Sequence, residues 1–594
     1  MRRWAWHAGI ATAVVVGLQV LLPRLFSVIL WYHLGFLAVS LAMLGLALGG
    51  LLVRNRVFRS GKAGGGIDLS RLATWSSAAL CLSLILVVRV PIDPTRLLDS
   101  VTHPVLLLVT GLLLAVPFTL LGTLTCACLD LGKARIGLLY GATFFGGAGG
   151  ALLSLYFMNQ VGAPRAAGLL ALLPLLGSVR DLRRGSRWAA LLLVVAICAL
   201  PDAMLPLTSR KHFPQIPRGD IIDEQWNSFS HVTFYENPEH HGLWEIGKPP
   251  SGRLPESIGV AIDSWAITSI LKAEGDGATL RFLDRYPPTV AYAGAPAGFE
   301  ALVIGAGGGV DVLAALQSGA GRVTAVEINP LIVAAVRGRF REFSGSLYDD
   351  PRVEVVVAEG RHFIENDRRR YDRIVLIGVD TFAATEAGAF ALSENYLYTV
   401  EALTALYRHL KPGGILALAR WWFEPPRQTL RLTVTATEAL GALGIADLSQ
   451  RVIIARSGLN SLFLLKQGEF TPAERNATVQ ACLDRGAALV HPAAQGQYPL
   501  YEQALTVAGA REVVRAHPYR VDATTDERPF FFENDRFSRL FRGEGDWIHG
   551  RLGGQELLVL TLVVLLLRSL PLGWSAWTGG GGRALDRRGG RVPG

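Results

Sequence analysis

The chain has 594 residues, of which 50% are hydrophobic and only 18% are charged, and its formal net charge is +9. Soluble proteins average about 25% charged residues, so the shortfall indicates long stretches without charge. This composition excludes a chain that is disordered throughout. Five cysteines in this length exclude a small disulfide-stapled scaffold.

The basic residues are concentrated at the two ends of the chain. Residues 1–206 carry 17 Lys and Arg against 6 Asp and Glu, and residues 551–594 carry 6 against 2. Residues 207–550 are net acidic, with 35 basic and 41 acidic side chains. The middle of the chain therefore has no basic excess that would favour a nucleic-acid partner.

The first part of the chain, residues 1–207, consists of apolar runs separated by short basic connectors. A helix needs about 20 apolar residues to cross a bilayer, so this region predicts a helical membrane block. We predict six or seven spans, because the sixth run is short and the first contains Arg24 beside Pro23. The runs are Ala8–Ile29, Tyr32–Val53, Leu72–Val88, Pro104–Cys128, Ile136–Met158, Ala166–Val179 and Trp188–Leu207.

Two pairs of glycines four residues apart lie inside these runs. They are Gly45 with Gly49 and Gly146 with Gly150. Small residues at this spacing let helices approach closely in lipid, so we expect both pairs to be helix–helix contacts.

A further apolar run, Leu557–Leu572, predicts a C-terminal span within residues 551–577, although Arg568 interrupts it. The remaining Gly- and Arg-rich residues, 578–594, predict a disordered tail. The chain is thus expected to be a multi-pass protein of the inner or plasma membrane. The positive-inside rule places the basic connectors in the cytoplasm. The middle of the chain then faces the cytoplasm with six spans and the outside with seven, and we favour the cytoplasm.

Residues 299–424 predict an α/β domain with a doubly wound parallel sheet of the Rossmann type. A buried strand, 301–304, leads into the glycine-rich loop Gly305–Gly309 and an apolar helix. A second strand, 322–328, contains Glu327, and later strands are predicted at 353–357, 373–377 and 414–419. Such sheets bind ligands beyond the carboxyl ends of their strands.

Three acidic side chains lie close to the ends of successive strands of this sheet, namely Glu327, Glu359 and Asp380. The loop glycines let the backbone approach a ligand, and Glu327 can accept the two hydroxyls of a ribose. The position of Glu359 suits the amino group of adenine. The loop is not followed by Gly-Lys-Ser/Thr, which argues against a nucleoside triphosphatase. A dinucleotide dehydrogenase remains an alternative.

Residues from about Trp226 to Trp422 resemble the spermidine synthase (polyamine aminopropyltransferase) family, which has the class I AdoMet-dependent methyltransferase fold. The resemblance rests on Val303–Gly309, Val326–Asn329, Ala358–Phe363, Tyr371–Val375 and Ser393–Tyr398. With the apolar runs ahead of this region, the chain resembles a membrane-embedded spermidine synthase-like protein. By resemblance, Gly305, Gly307, Gly309, Glu327, Glu359 and Gly360 would bind the nucleoside.

The resemblance also implies the chemistry and its substrates. Asp380 falls where the family keeps the acid that accepts a proton from the attacking amine. The co-substrate would be AdoMet or decarboxylated AdoMet, with no metal, and the acceptor would be a small amine. A carboxylate suits this role because it can hold the amine in place and take its proton.

Two acids of the family pattern are missing. The family loop has an Asp where this chain has Gly308, and the Asp-x-x-Asp pair after the fourth strand is here Ile377-x-x-Asp380. Asp311, one helical turn further on, is a possible substitute for one of them. These losses leave open a methyltransferase that acts on a small or lipid-soluble acceptor. A transporter or sensor that binds a nucleoside or polyamine without turnover is a third alternative.

The flanking regions are less informative. Residues 208–298 predict a linker and a small β-domain that begins with a strand over Trp226–Tyr235, and residues 425–550 predict an accessory α/β lobe. His240 and His241 lack the partners of a metal site and are expected to be loop residues. The segment Asp526–Phe532 suggests either aromatic burial or contact with a lid or a membrane surface.

Overall fold

The computed structural model forms two compact units. Among the described residues, the first unit contains the chain up to residue 207 and residues 226–229, and the second contains the other residues from 216 onward. The structure describes residues 2–29, 36–55, 67–92, 101–177, 184–207, 216–240, 243, 254–264, 266–273, 278–379, 394–493, 496–534 and 536.

The first unit is helical. Its elements are α1 (Arg2–Ile29), α2 (Phe36–Arg54), α3 (Leu69–Val87), α4 (Thr102–Leu131), α5 (Ile136–Gly177), α6 (Arg184–Ala199) and the short α7 (Pro201–Met204). By length and composition, five helices of the described chain could cross a membrane, which indicates a multi-pass membrane protein. The predicted C-terminal span lies outside the described residues.

The fifth and sixth predicted spans lie on the two sides of a kink in α5, which therefore consists of two helical parts. It is kinked at Gly162, which has a φ of 80° and a ψ of 161°. The seventh predicted span corresponds to α6, which has 16 residues and ends at Ala199, before Pro201. The seven apolar runs therefore do not form seven separate long helices.

Both glycine pairs lie at helix–helix contacts, as predicted. A Cβ on Gly146 or Gly150 of α5 would come closer than 3.0 Å to the backbone of Gly9 or Ala13 of α1. A Cβ on Gly45 or Gly49 of α2 would meet α4 in the same way. Close backbone approach explains why glycine is needed at these positions.

The second unit contains a small antiparallel sheet and a large mixed sheet. The small sheet has the order β1-β2-β3-β4, with β1 (Ile221–Trp226), β2 (His231–Glu236), β3 (Ser257–Ile262) and β4 (Ala266–Leu271). The single strand predicted over Trp226–Tyr235 is wrong in detail, because residues 227–230 separate β1 from β2.

The large sheet has eight strands in the order β12-β10-β11-β9-β8-β5-β6-β7. Strands β5 to β9 pair in parallel, whereas β10, β11 and β12 pair antiparallel. The parallel strands are β5 (Glu300–Ile304), β6 (Arg322–Glu327), β7 (Val353–Val357), β8 (Tyr371–Leu376) and β9 (Leu410–Trp421). The predicted α/β sheet is thus confirmed, as is the small β-sheet before it.

Helices and short 3-10 segments pack around this sheet. The 3-10 segments Ala278–Arg285 and Pro287–Tyr292 precede β5. Among the described residues, the helices between parallel strands are α8 (Val310–Gln317), α9 (Pro330–Arg337), α10 (Gly360–Asn366) and α11 (Val400–Arg408). Strand β5 explains why helices are needed on both faces, since Ala301 and Val303 enter one hydrophobic core and Leu302 and Ile304 enter the other.

Residues 425–536 continue the same sheet. They supply β10 (Val452–Ser457), β11 (Asn460–Lys466) and β12 (Ala488–His491), together with α12 (Gln428–Gly441), α13 (Pro472–Asp484), α14 (Pro499–Ala504) and α15 (Val507–Ala516). The region that the sequence suggested as an accessory lobe therefore shares a sheet and its cores with the parallel strands β5 to β9.

Candidate functional site

The glycine-rich loop links β5 to α8 through a tight turn. Gly305, Gly307 and Gly309 have φ values of 78°, 52° and 95°, in the left-handed region where a side chain is strained. The Gly305 N–H donates to the carbonyl of Val326 at 2.8 Å, which fastens the loop to the end of β6. The predicted turn is confirmed, and it places the loop at the carboxyl end of the sheet.

Glu327 connects this loop to the second strand. One carboxylate oxygen accepts the Gly307 N–H at 2.8 Å, and the other accepts the Asn329 N–H at 2.8 Å. The side chain is only 4% exposed, and burial raises its pKa, although these backbone N–H groups act in the opposite direction. Because each carboxylate oxygen has two lone pairs, Glu327 can hold the loop and still accept a hydroxyl from a ligand.

Tyr348 also holds the glycine-rich loop in place, and this residue was not predicted from the sequence. Its hydroxyl donates to the Gly307 carbonyl at 2.6 Å, although the two residues are 41 positions apart. Burial raises the pKa of this phenol well above its usual value, so it stays a donor at any physiological pH. No local pattern around Tyr348 signals this contact, because only the packing of α9 and the following turns creates it.

Glu359 lies at the end of β7 and caps α10. Its carboxylate accepts the N–H groups of Arg361 at 2.9 Å and His362 at 2.7 Å, as a helix N-cap does. The residue is exposed, so its outer lone pairs face solvent. Gly360 is buried, and a Cβ there would lie 2.5 Å from the Cγ2 of Ile304. The first turn of α10 therefore packs directly against β5.

Two apolar side chains beside these acids are exposed. Ile328 follows Glu327 and is 53% exposed, and Val357 precedes Glu359 by two residues and is 51% exposed. Glu327 and Val357 are paired across β6 and β7. Exposed apolar surface next to carboxylates suits a flat base attached to a ribose. The alternation of the strands could have signalled these residues, but sequence reasoning did not select them.

Strand β4 covers Gly308, where the family pattern has an Asp. The Gly308 N–H donates to the Thr268 hydroxyl at 3.2 Å. A Cβ on Gly308 would come closer than 3.0 Å to the backbone of Ser269 and Ile270. This loop position therefore has no room for a side chain, and a carboxylate would not fit there.

The other acids considered in the sequence have different outcomes. Asp380 lies outside the described residues. Asp311, in the first turn of α8, is 9% exposed, and its Oδ1 has no hydrogen-bond partner in the described part of the chain. Burial raises its pKa to about 7. Asp311 is therefore a buried acid whose pKa lies near neutral pH, whereas Glu359 is exposed.

Comparison with known proteins finds a family match over part of the chain. Residues 275–428 match the model of the spermine/spermidine synthase domain. This range includes the glycine-rich loop, Glu327, Glu359 and Asp380.

Curated relatives match over the same part of the chain. The polyamine aminopropyltransferase of Korarchaeum cryptofilum is 26% identical over 117 residues, which are 20% of this chain and 34% of that protein. Polyamine aminopropyltransferase 2 of Hyperthermus butylicus is 34% identical over 116 residues, which are 19% of this chain and 36% of that protein. The chain thus matches about a third of the length of these relatives.

Among solved structures, the spermidine synthase of Thermotoga maritima is 17% identical, with a TM-score of 0.30, and the match covers 46% of this chain and 89% of that one. The glycine-rich loop and the strands on both sides of it lie inside the range that matches the family model. The chain therefore carries a spermine/spermidine synthase domain of the polyamine aminopropyltransferase family, preceded by N-terminal apolar helices.

Proposed function

We propose that the protein is an integral membrane transferase that uses AdoMet or decarboxylated AdoMet to alkylate an amine. One observation carries the proposal: the left-handed glycine loop is hydrogen-bonded to the buried Glu327 at the carboxyl ends of two parallel strands. This arrangement leaves backbone and carboxylate groups for a ribose. Aminopropyltransferases use decarboxylated AdoMet as the donor and an amine as the acceptor.

The nucleoside part of the donor would lie across β6 and β7. Glu327 would accept ribose hydroxyls, the glycines at 305, 307 and 309 would let the backbone approach, and Glu359 would accept the adenine amino group. Gly360 would keep α10 close to β5, so that Glu359 could reach the adenine. Ile328 and Val357 would supply apolar contacts to the base.

Asp380 is the proposed base for the transfer step. The amine nitrogen attacks the carbon next to the sulfonium, the carbon–sulfur bond breaks, and its electron pair stays on sulfur in the departing thioether nucleoside. The amine loses one proton, which Asp380 accepts. A carboxylate is suited to this role because it also orients a cationic or hydrogen-bonding amine before attack.

A second candidate is methyl transfer from AdoMet to a small or lipid-soluble acceptor. The observation that favours it is the covered position of Gly308, which denies the loop a carboxylate for a cationic amine group. Under this alternative the nucleoside contacts are unchanged and only the acceptor differs.

Calorimetric titration of the full chain in detergent would test both functions. The ligands are AdoMet, decarboxylated AdoMet and methylthioadenosine. Binding of decarboxylated AdoMet together with aminopropyl transfer to an amine supports the first function. Turnover with AdoMet but not with decarboxylated AdoMet supports methyl transfer. Absence of binding to all three would contradict both, and binding without turnover would favour a transporter or sensor.

The proposed base has its own test. Asp380→Asn is expected to abolish turnover while nucleoside affinity stays within about threefold, because the residue acts on the acceptor. Unchanged turnover would refute its role as the base. AdoMet is made in the cytosol, so we also propose that the transferase domain faces the cytoplasm.

A further inference from the structure

The segment Asp526–Phe532 has an aromatic half that is part of the core. Phe531 and Phe532 are buried, and their ring centroids lie 4.8 and 6.4 Å from that of Tyr398. Of the two interpretations of this segment, aromatic burial is the one that the structure supports. The acidic half is left without a role by this packing.

Asp526 connects two parts of the chain that are far apart in sequence. Its carboxylate accepts a hydrogen bond from the Thr399 hydroxyl at 2.6 Å and another from the Arg361 guanidinium at 3.2 Å. Its own N–H donates to the Glu401 carboxylate at 3.0 Å. The Asp526 side chain thus has two hydrogen-bond partners, and its backbone N–H has a third.

Both partners of this carboxylate belong to helix starts beside the nucleoside site. Thr399 is the N-cap of α11 and accepts the Ala402 N–H at 3.1 Å. Arg361 lies in the first turn of α10, and its N–H donates to Glu359. A negative charge is stabilised near helix N-termini, so Asp526 suits the junction between these two helices.

Arg361 depends on this junction. Its side chain is only 11% exposed and also pairs with Glu365 at 2.8 Å, while its Nη1 is buried without a hydrogen-bond partner in the described chain. A guanidinium this buried needs its anionic partners to stay in place. Arg361 has two anionic partners, Asp526 and Glu365. If the Asp526 carboxylate is removed, only Glu365 remains to hold Arg361 and the turn that carries Glu359.

We propose that Asp526 is a positioning residue for the nucleoside donor. It fixes the first turn of α10 through Arg361, and thereby Glu359, and it joins that turn to the start of α11 through Thr399. This inference rests on the proposed function, because it assigns Glu359 to the adenine of the donor. Asp526 itself acts only through Arg361 and Thr399.

The test compares Asp526→Asn with Glu527→Gln in the full-length protein in detergent. Glu527 is the exposed neighbour, and its change removes the same charge. We expect Asp526→Asn to weaken donor binding by about tenfold or more, since small displacements of a binding group are costly. Glu527→Gln is expected to stay within about twofold of the unchanged protein.

Hydrogen exchange of the ligand-free protein separates this inference from the proposed function. Asp526→Asn should speed exchange at the amides of Arg361 and His362, and Glu527→Gln should not. If the unchanged protein binds no donor, the proposed function fails, while the exchange data still decide whether Asp526 fixes α10. Faster exchange with undiminished donor affinity would overturn the positioning role.

A second variant covers the case in which Asp526→Asn does not fold. Arg361→Gln keeps the bond between Asp526 and Thr399 and breaks the link from Asp526 to α10, together with the ion pair between Arg361 and Glu365. It should show a similar loss of donor affinity. In the double variant the two losses should not add, because both changes break the same connection. Additive losses, or no loss in Arg361→Gln, would contradict the proposal.

Discussion

The backbone of Ser269 in β4 occupies the space that a side chain on Gly308 would need. A Cβ built there would come closer than 3.0 Å to the Ser269 carbonyl oxygen, and the neighbouring Thr268 hydroxyl accepts the Gly308 N–H. The small sheet and the glycine-rich loop are therefore fitted to each other. This contact leaves no room at position 308 for the Asp of the family pattern.

Gly308→Ala is expected to destabilise the second unit. The added methyl group meets backbone atoms that cannot rotate away, and overpacking of this kind costs about 1–3 kcal/mol. Thermal unfolding in detergent would measure the effect. The matched control is Gly219→Ala, where a Cβ meets nothing within 4 Å. Equal melting temperatures for the two variants would contradict the close contact with β4.

Glu327→Gln is expected to lower the free energy of unfolding by about 1–3 kcal/mol. Both carboxylate oxygens accept backbone N–H groups, and an amide can replace only one of them, so the other N–H would face an NH2 group. Chemical denaturation would measure this. Glu354→Gln on β7 removes the same charge from exposed ion pairs and should cost less than about 1 kcal/mol. A larger loss in the control would contradict the structural role of Glu327.

Asp311 is expected to make the protein less stable as the pH rises. Its pKa is about 7 in the folded state and near the usual 3.8 in the unfolded chain, so the folded state keeps a proton that the unfolded state releases. The stabilising contribution is complete below about pH 4 and is lost as the pH rises through 7.

Asp311→Asn should remove this dependence. Between pH 4 and pH 8 the unchanged protein should lose about 2–4 kcal/mol more unfolding free energy than the variant does. Burial raises the pKa values of the nearby Tyr292 and Tyr348 well above 10, so these phenols do not titrate in this range. Chemical denaturation at several pH values would test it, and identical pH profiles would refute the assignment.

Gly150→Val is expected to disrupt the contact between α1 and α5. A side chain at this position would meet the backbone of Ala13, whereas the adjacent Gly149 has nothing within 4 Å of its Cβ position. Gly149→Val therefore carries the same change in helix propensity without the clash. We expect a clear loss of thermal stability in detergent for Gly150→Val only. Similar losses in both variants would point to helix propensity instead of packing.

The orientation of the transferase domain can be tested by reporter fusions at about Ser209. We expect a cytoplasmic signal, because the proposed donor is a cytosolic metabolite. A control fusion at Arg3 reports the opposite end of the helical block. A periplasmic or extracellular signal at Ser209 would contradict the enzyme function and favour a binding protein.

Local sequence predicted a large part of this fold. Glycine-rich turns and buried β-branched runs depend on nearest neighbours, so the loop at Gly305–Gly309 and the strands around it could be found directly. The glycine pairs in the apolar runs could likewise be found from their spacing in the sequence. The break at Gly162 falls between the fifth and sixth predicted runs, Ile136–Met158 and Ala166–Val179, so this feature was also local.

The sequence by itself determined the apolar helices, the parallel sheet and the placement of Glu327 and Glu359 at strand ends, because periodicity and turn residues specify these features. Only the tertiary structure decided which groups meet across the chain. Tyr348 reaches Gly307, Ser269 excludes a side chain at Gly308, and Asp526 joins Arg361 to Thr399. These contacts span between 39 and 165 residues, and no local pattern encodes them, since they arise when the sheet and its helices pack.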